Sequence, residues 1–391
     1  MLYSSEAYIL IENIGEEGNP ILRILLAGGG SGGHVFPLVA VYRKILEISN
    51  GEAEFLFMGP DFFSNGVFRK EGVRTRIVFS GKFRRYFSIF NLLDVFKFPV
   101  GFIQTYWHIF WFMPDVIFAK GGYGSVLPVL VGWMFRIPVI IHESDAAPGL
   151  ANKMLCRFAK FILVSFEESV AFFPKGKTFL TGNPIRNELF LNIPQNAREV
   201  LGMKSSRPVI VVFGGSQGSE QINDLILISM PDLAKKYEIV HQCGRSREQD
   251  MKKGALLQIH NIEERNFYHV YGLMTEPELA SAYASADLIV SRAGSGAIFE
   301  IASFGKPSIL IPYNGGASSH QEKNAFVYAD TGAGIVLEDE NLKPHIFLNS
   351  IDSILSDAKK LEDMKIAALN FAKLDAAEKI AKAVLALGRQ S

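Results

Sequence analysis

Cysteine is scarce in this chain of 391 residues: there are two, Cys156 and Cys243. Two thiols cannot build a disulfide framework, and neither stands in a metal-ligand spacing, so the reducing cytoplasm is the expected setting. Net charge is absent as well. Forty Lys and Arg balance forty Asp and Glu, which removes any global attraction to nucleic acid, and no nucleic-acid partner is expected. No basic, apolar and small-residue signal opens the chain. Residues 1–20 read instead as an acidic extension closed by Asn19-Pro20. A clean membrane-spanning run is missing too. Val95–Met113 approaches the roughly 20 apolar residues that a span needs, but Lys97, Pro99, Gln104 and His108 interrupt it. No low-complexity segment appears. No Asp-x-Asp pair sits near a glycine turn to hold a divalent ion, so neither a metal nor a cofactor is expected.

What is present is one unit of pattern, repeated: an apolar strand, a glycine turn, a helix. Its sharpest copy is SRAGSGAIFE, Ser291–Glu300, after the apolar run Asp287–Val290. A turn of that kind leaves backbone N–H groups pointing outward at a helix N-terminus, where the dipole favours an anion. Glu300 falls about one and a half turns into the helix. A carboxylate there suits a neutral diol such as a ribose, and phosphate at the turn with ribose further in describes a nucleoside diphosphate site. The plain alternative is an ordinary strand–helix turn with a solvated glutamate.

The first copy is Ile21–Ala27, then Gly28-Gly29-Gly30-Ser31-Gly32-Gly33-His34 and a helical run. Glycines let a backbone approach a ligand closely. GGGSGGH is not the GxGxxG dinucleotide fingerprint, and the next strand, Glu54–Gly59, ends without that fingerprint's acid. A nicotinamide site is therefore disfavoured. His34 stands where the loop meets the helix, as a catalytic or binding side chain or as a helix cap. Further copies follow at Lys120–Ser125 (KGGYGS) and, after the strand Pro208–Phe213, at Gly214–Ser219 (GGSQGS). Pro138–Ile141 leads into His142-Glu143-Ser144-Asp145, polar residues at the carboxyl end of a strand, where open α/β sheets bind ligands. Alternating strands and helices over this length imply two parallel-sheet α/β domains. Within the first of them, residues 69–97 are basic, with Arg69, Lys70, Arg74, Arg76, Lys82, Arg84, Arg85 and Lys97 among many aromatics. Phe83–Phe98 reads as an interfacial element for anionic headgroups, or as an aromatic core helix with solvated arginines. Phe102–Met113 reads as a core helix, Asn152–Ala159 as a helix, and Ala376–Leu387 as an amphipathic helix.

Taken together, GGGSGGHVFP, KGGYGS, IHESDAAPGLANK, TGNPIR, FGGSQGS, SRAGSGAIFE and HQEKNA, in this order from about residue 21 to 335, resemble the MurG family of N-acetylglucosaminyltransferases. The resemblance implies the two-domain GT-B glycosyltransferase fold, with Rossmann-like sheets facing a cleft. Residues 21–183 would form an acceptor and membrane-side domain, completed by a final helix at about 370–391, and residues 184–369 a UDP-sugar domain. It implies transfer of N-acetylglucosamine, with inversion, from UDP-N-acetylglucosamine to lipid I in peptidoglycan synthesis, at the cytoplasmic face of the cell membrane as a peripheral protein on anionic lipids. Gly214, Gly215, Ser216 and Gln217, with Ala293 and Gly294, would hold the donor pyrophosphate. Glu300 would bind its ribose, Arg186 would lie near the uracil, and Gln321 with His320 would contact the sugar. Ser31, Gly32, Gly33 and Asn152 would bind the acceptor, with Gly30 in the same diphosphate loop and His142-Glu143 lining the cleft. His34 is the expected general base, since imidazole titrates near working pH. Relatives commonly read HEQN where this chain has His142-Glu143-Ser144-Asp145, and some carry a second glutamine where it has His320. Rival readings are another lipid-linked sugar transferase, a UDP-sugar epimerase of similar fold, and a nucleotide-sugar-binding or scaffold protein that has lost catalysis.

Overall fold

The structure, a computed structural model, describes residues 21–30, 32–81, 89–215, 217–313 and 320–390, with backbone alone for 89–96. The chain forms two compact units. One holds the chain to Arg186 together with Lys373 onward; the other is Asn187–Ala372. The crossings thus fall at 186/187 and 372/373, three residues beyond those expected from sequence.

In unit 1, seven strands form one parallel sheet: β1 (Leu22–Ala27), β2 (Ala53–Gly59), β3 (Arg74–Ile77), β4 (Val116–Ala119), β5 (Val139–Glu143), β6 (Phe161–Val164) and β7 (Thr178–Leu180). Their order is β3-β2-β1-β4-β5-β6-β7. The central strands read as continuous apolar runs, LRILLA and VIFA, because helices cover both faces of a parallel sheet. On one face the helix Gly32–Ile48 and the final helix Ala376–Gly388 bury Val35, Leu38, Ile45, Ile380, Val384 and Leu385 against Ile24, Leu26, Phe57 and Phe118. The final helix, far away in sequence, therefore supplies part of the first unit's core. The opposite face packs Ile109, Phe112, Leu127 and Val131 on Leu25, Ile117 and Ile141.

Unit 2 repeats the plan with β8 (Val209–Phe213), β9 (Glu238–Gln242), β10 (Tyr268–Tyr271), β11 (Leu288–Ser291), β12 (Ser308–Leu310) and β13 (Gly334–Val336), in the order β10-β9-β8-β11-β12-β13. Every pairing is parallel. In each sheet the first strand lies beside the fourth, so strand order reverses between β1 and β4 and between β8 and β11. Ligands of open α/β sheets bind outside the carboxyl ends of the strands at such a switch point. All four glycine turns noted in the sequence follow one of these four strands.

Two helices differ from expectation. The segment Phe102–Met113 is not a core helix. It belongs to the helix Ile89–Phe112, which buries Thr105, Ile109 and Phe112 but exposes Ile103 (67 %), Trp107 (57 %) and Trp111 (69 %). These three are spaced by four residues and share one helix face. Most of the helix is apolar, and its few polar residues, Lys97, Gln104 and His108 among them, do not mark the open side, so periodicity does not separate it from the buried one. Gly101 lets the inner side lie against the Phe79 carbonyl, where any Cβ would clash. Within the Phe83–Phe98 stretch, Phe98 is exposed, while residues 82–88 and the side chains of 89–96 lie outside the description. The helix expected over Asn152–Ala159 is Leu150–Leu155 only. No helix among the described residues is long and apolar enough to cross a membrane.

Candidate active site

At the unit 1 switch point the turn after β1 runs through Gly28, Gly29 and Gly30, the last at φ +96. A Cβ on Gly30 would sit 3.0 Å from the Tyr123 ring of the turn after β4, so the two turns touch. The Gly30 amide does not face outward. It donates to Asp61 Oδ2 at 2.9 Å and Ser64 Oγ at 3.2 Å. The helix N-terminus next to this turn is that of Gly32–Ile48, where the dipole favours an anion. Gly32, Gly33 and His34 lie in the first turn of that helix; Ser31 lies outside the described residues. The His34 ring is half-buried beside the second turn, since a Cβ on Gly122 would stand 3.7 Å from His34 Nε2.

Behind the turns lies a cluster the sequence does not announce. Lys120, at the end of β4 and 1 % exposed, places Nζ 2.5 Å from His142 Nδ1 and 3.0 Å from Asn183 Oδ1, and donates to Ser144 Oγ as well. An ammonium has donors only, so His142 Nδ1 accepts and Nε2 donates, reaching the Gly182 carbonyl at 3.1 Å. Burial pulls the Lys120 ammonium down to about 7, against the raising influence of Glu143 and Asp145. Burial first, and Lys120 second, hold His142 well below the usual imidazole range. Ser144, one of the two departures from HEQN, is thus a ligand of the lysine. Glu143 accepts from the Asp145 and Gly149 amides at 3.0 Å each and from Asn152 Nδ2 at 2.9 Å; burial and then Asp145 raise its pKa. His142, Glu143 and Asn152 are all buried, so they brace the turns from behind rather than line an open surface. Asn152 also donates to the His142 carbonyl and packs under Gly121.

In unit 2, Gly214 donates its amide to the Gln242 carbonyl at 3.0 Å. Gly218, at φ +81, presses on the Cys243 carbonyl so closely that no side chain fits there. Ser219 caps the helix Glu220–Lys236 by accepting from Ile222 N. Gly215 and Gln217 are exposed; Ser216 lies outside the described residues. After β11, Ala293 is buried and its carbonyl accepts from Asn324 Nδ2 at 3.3 Å, and Gly294 caps the helix Ser295–Ser303. Arg292 Nη1 donates to Gln221 Oε1 and to the Ile311 and Pro312 carbonyls at 3.0–3.2 Å, stapling the turn to its neighbours. Gln321 Oε1 accepts from the Tyr313 amide at 3.1 Å, with half-buried His320 beside it. Glu300 is half-buried on the same helix as the turn and accepts from Tyr283 OH at 2.8 Å. After β10, the Gly272 amide donates to Glu248 Oε2 at 3.1 Å. Arg186 is the last residue of unit 1, its guanidinium 4.9 Å over the Phe36 ring. Among the described residues no group of His, Cys, Asp and Glu could hold a metal ion.

The chain matches the Glycosyltransferase family 28 N-terminal domain over residues 24–164 and the Glycosyltransferase family 28 C-terminal domain over residues 209–382. The chain belongs to glycosyltransferase family 28. Two curated members are similar over most of its length. One, from Bacillus cereus, is named UDP-N-acetylglucosamine--N-acetylmuramyl-(pentapeptide) pyrophosphoryl-undecaprenol N-acetylglucosamine transferase 2. It is 37 % identical, over 86 % of this chain and 93 % of its own. A transferase of the same name from Clostridium tetani is 34 % identical, over 88 % and 93 %. Among solved structures, MurG of Acinetobacter baumannii superposes with a TM-score of 0.70 at 22 % identity, covering 93 % of this chain and 99 % of that one. UDP-GlcNAc 2-epimerase of Neisseria meningitidis, bound to UDP-GlcNAc, reaches 0.66 at 12 %, covering 93 % and 99 %. The two units are thus the paired Rossmann-like domains of the GT-B fold, which family 28 shares with enzymes of other chemistry.

Proposed function

We propose that this family 28 member is an inverting glycosyltransferase. It moves N-acetylglucosamine from UDP-N-acetylglucosamine to undecaprenyl-pyrophosphoryl-N-acetylmuramyl-pentapeptide, lipid I, and so makes lipid II for peptidoglycan. The observation that carries this reading is the match to transferases of that name over 86 % of the chain, joined to a pair of glycine turns at the switch point of each sheet.

On this reading unit 2 holds the donor. Gly214, Gly215, Ser216 and Gln217, with Ala293 and Gly294, take the pyrophosphate at two helix N-termini. Glu300 accepts from the ribose, Gln321 and His320 meet the sugar, and Arg186 lies by the uracil. Unit 1 holds the acceptor through Ser31, Gly32 and Gly33, with Asn152 as a brace. The acceptor hydroxyl gives its proton to His34 as its oxygen bonds to the anomeric carbon. The bond from that carbon to the UDP oxygen breaks, and the charge gathering on the leaving diphosphate is met by backbone N–H groups and helix dipoles.

The enzyme works at a membrane surface, as a peripheral protein on anionic lipids. What supports this is the exposed face of Ile103, Trp107 and Trp111, which suits shallow burial beside headgroups, and the basic character of residues 69–97. The experiment is incubation with labelled UDP-N-acetylglucosamine and two acceptors, a lipid I analogue and diacylglycerol. Label on lipid I alone is the expected result. Label on diacylglycerol points to the other lipid-linked transferases, and conversion of the free donor to its 2-epimer would replace the transferase reading.

A further inference from the structure

The carboxylate assigned to the ribose is not held by its own helix alone. Tyr283, on the helix Glu276–Ser285, donates its hydroxyl to Glu300 Oε2 at 2.8 Å. The residue is 2 % exposed and clamped in an aromatic column. Its ring stacks on Phe304 at 5.0 Å with 13° between the planes, and leans on Phe213 at 4.9 Å. Phe304 in turn stacks on Phe190 at 4.4 Å. Phe213 ends β8, directly ahead of Gly214, and Phe304 caps the helix that carries Glu300. The ring is therefore held between the end of β8 and the C-terminal end of the helix that carries Glu300.

We infer that Tyr283 is a positioning residue for nucleoside recognition, setting the rotation of the Glu300 carboxylate before a vicinal diol arrives. The inference rests on the reading of Glu300 as the ribose acid. A glutamate side chain has three torsions to freeze when it binds, and a buried phenol that fixes the far end beforehand lowers the entropy lost on binding. An ionised carboxylate offers about four lone-pair sites, so one phenol bond is compatible with acceptance from two sugar hydroxyls. Bonds to a charged acceptor are stronger and more directional than neutral ones. The phenol therefore acts on affinity for the diol and not on the bond-breaking step.

Tyr283→Phe keeps the ring and its column and removes only the hydroxyl. Steady-state kinetics would use UDP-N-acetylglucosamine and its 2′-deoxyuridine analogue at saturating acceptor, with a melting curve for each protein. Expected are a donor KM raised about three- to tenfold for the normal donor, turnover at saturation within about twofold, and a smaller KM change for the deoxy donor. A loss equal on both donors, with a lowered melting temperature, would make the hydroxyl merely structural. Unchanged KM for both donors would make it idle. Glu300→Ala separates the two layers. If it fails to distinguish the donors, the ribose assignment falls and the role of Tyr283 with it. If it distinguishes them while Tyr283→Phe does not, only the positioning role is lost.

Discussion

The two sheets present the same device, paired glycine turns at a switch point, on very different supports. Unit 1 sets ionisable groups behind its turns: Lys120, His142 and Glu143, all buried and joined to Ser144, Asn152 and Asn183. Unit 2 sets a neutral aromatic column behind its turns, from Phe190 through Phe304 and Tyr283 to Phe213. Buried charge is costly to assemble and gives rigid, direction-specific bonds when every donor finds its acceptor. Stacked rings exclude water and hold one polar tip still. The first support suits a surface that must stay rigid around an anion and a moving proton. The second suits a nucleotide that comes and goes. Unit 1 also carries a helix face with two exposed tryptophans, Trp107 and Trp111.

The largest effect that could break this contrast belongs to His34. Its change to Ala should lower turnover about 10²–10⁴-fold with donor KM little changed, and should remove the acidic limb of the pH–rate profile. A raised acceptor KM, with turnover at saturation within a few-fold, would make His34 an anion donor and not a base. On the other unit, Glu300→Ala should weaken donor binding by roughly 1.5–3 kcal/mol. Calorimetric titration checks this, and a 2′-deoxyuridine donor should suffer less. The membrane side is sharpened by replacing Trp107 and Trp111 with Ser. Vesicle binding should fall about tenfold while activity on a short-chain soluble acceptor is kept, as co-sedimentation and rate measurements would show. Most specific to a single side chain is the pH dependence of Lys120. Its folded pKa of about 7 lies below the ordinary value of 10.5, so between them the unfolded chain holds a proton that the native state has shed. Stability should therefore rise with pH through that window, by up to about 1.4 kcal/mol per pH unit. In Lys120→Met that rise should vanish from denaturant titrations at pH 7, 8 and 9. An identical pH course for both proteins would remove the titrating lysine.

Sequence pattern carried much of this. The turns after β1, β4, β8 and β11 stand out as glycine runs behind apolar strands, and Glu300 can be placed on its helix by counting. The supports were hidden, because they are made by distance in sequence. Lys120 finds its partners 22, 24 and 63 residues away, and Tyr283 reaches Glu300 from another helix. Lys120 opens the KGGYGS turn, but nothing local shows that its ammonium turns inward, and nothing local marks Tyr283. Gly30 belongs by resemblance to the acceptor diphosphate loop, yet its amide is taken by Asp61 and Ser64, 31 and 34 residues on. The open face of Trp107 and Trp111 is not legible in the pattern, because the helix is apolar on its open and its buried side alike and its few polar residues fall elsewhere.

The division of labour between the units is tested most directly by calorimetric titration of UDP into the wild-type protein, His34→Ala and Glu300→Ala. With donor contacts on unit 2 and proton transfer on unit 1, the His34 variant should bind UDP as the wild type does, and the Glu300 variant at least about tenfold more weakly. Loss of UDP affinity in the His34 variant, with the Glu300 variant unchanged, would contradict the account.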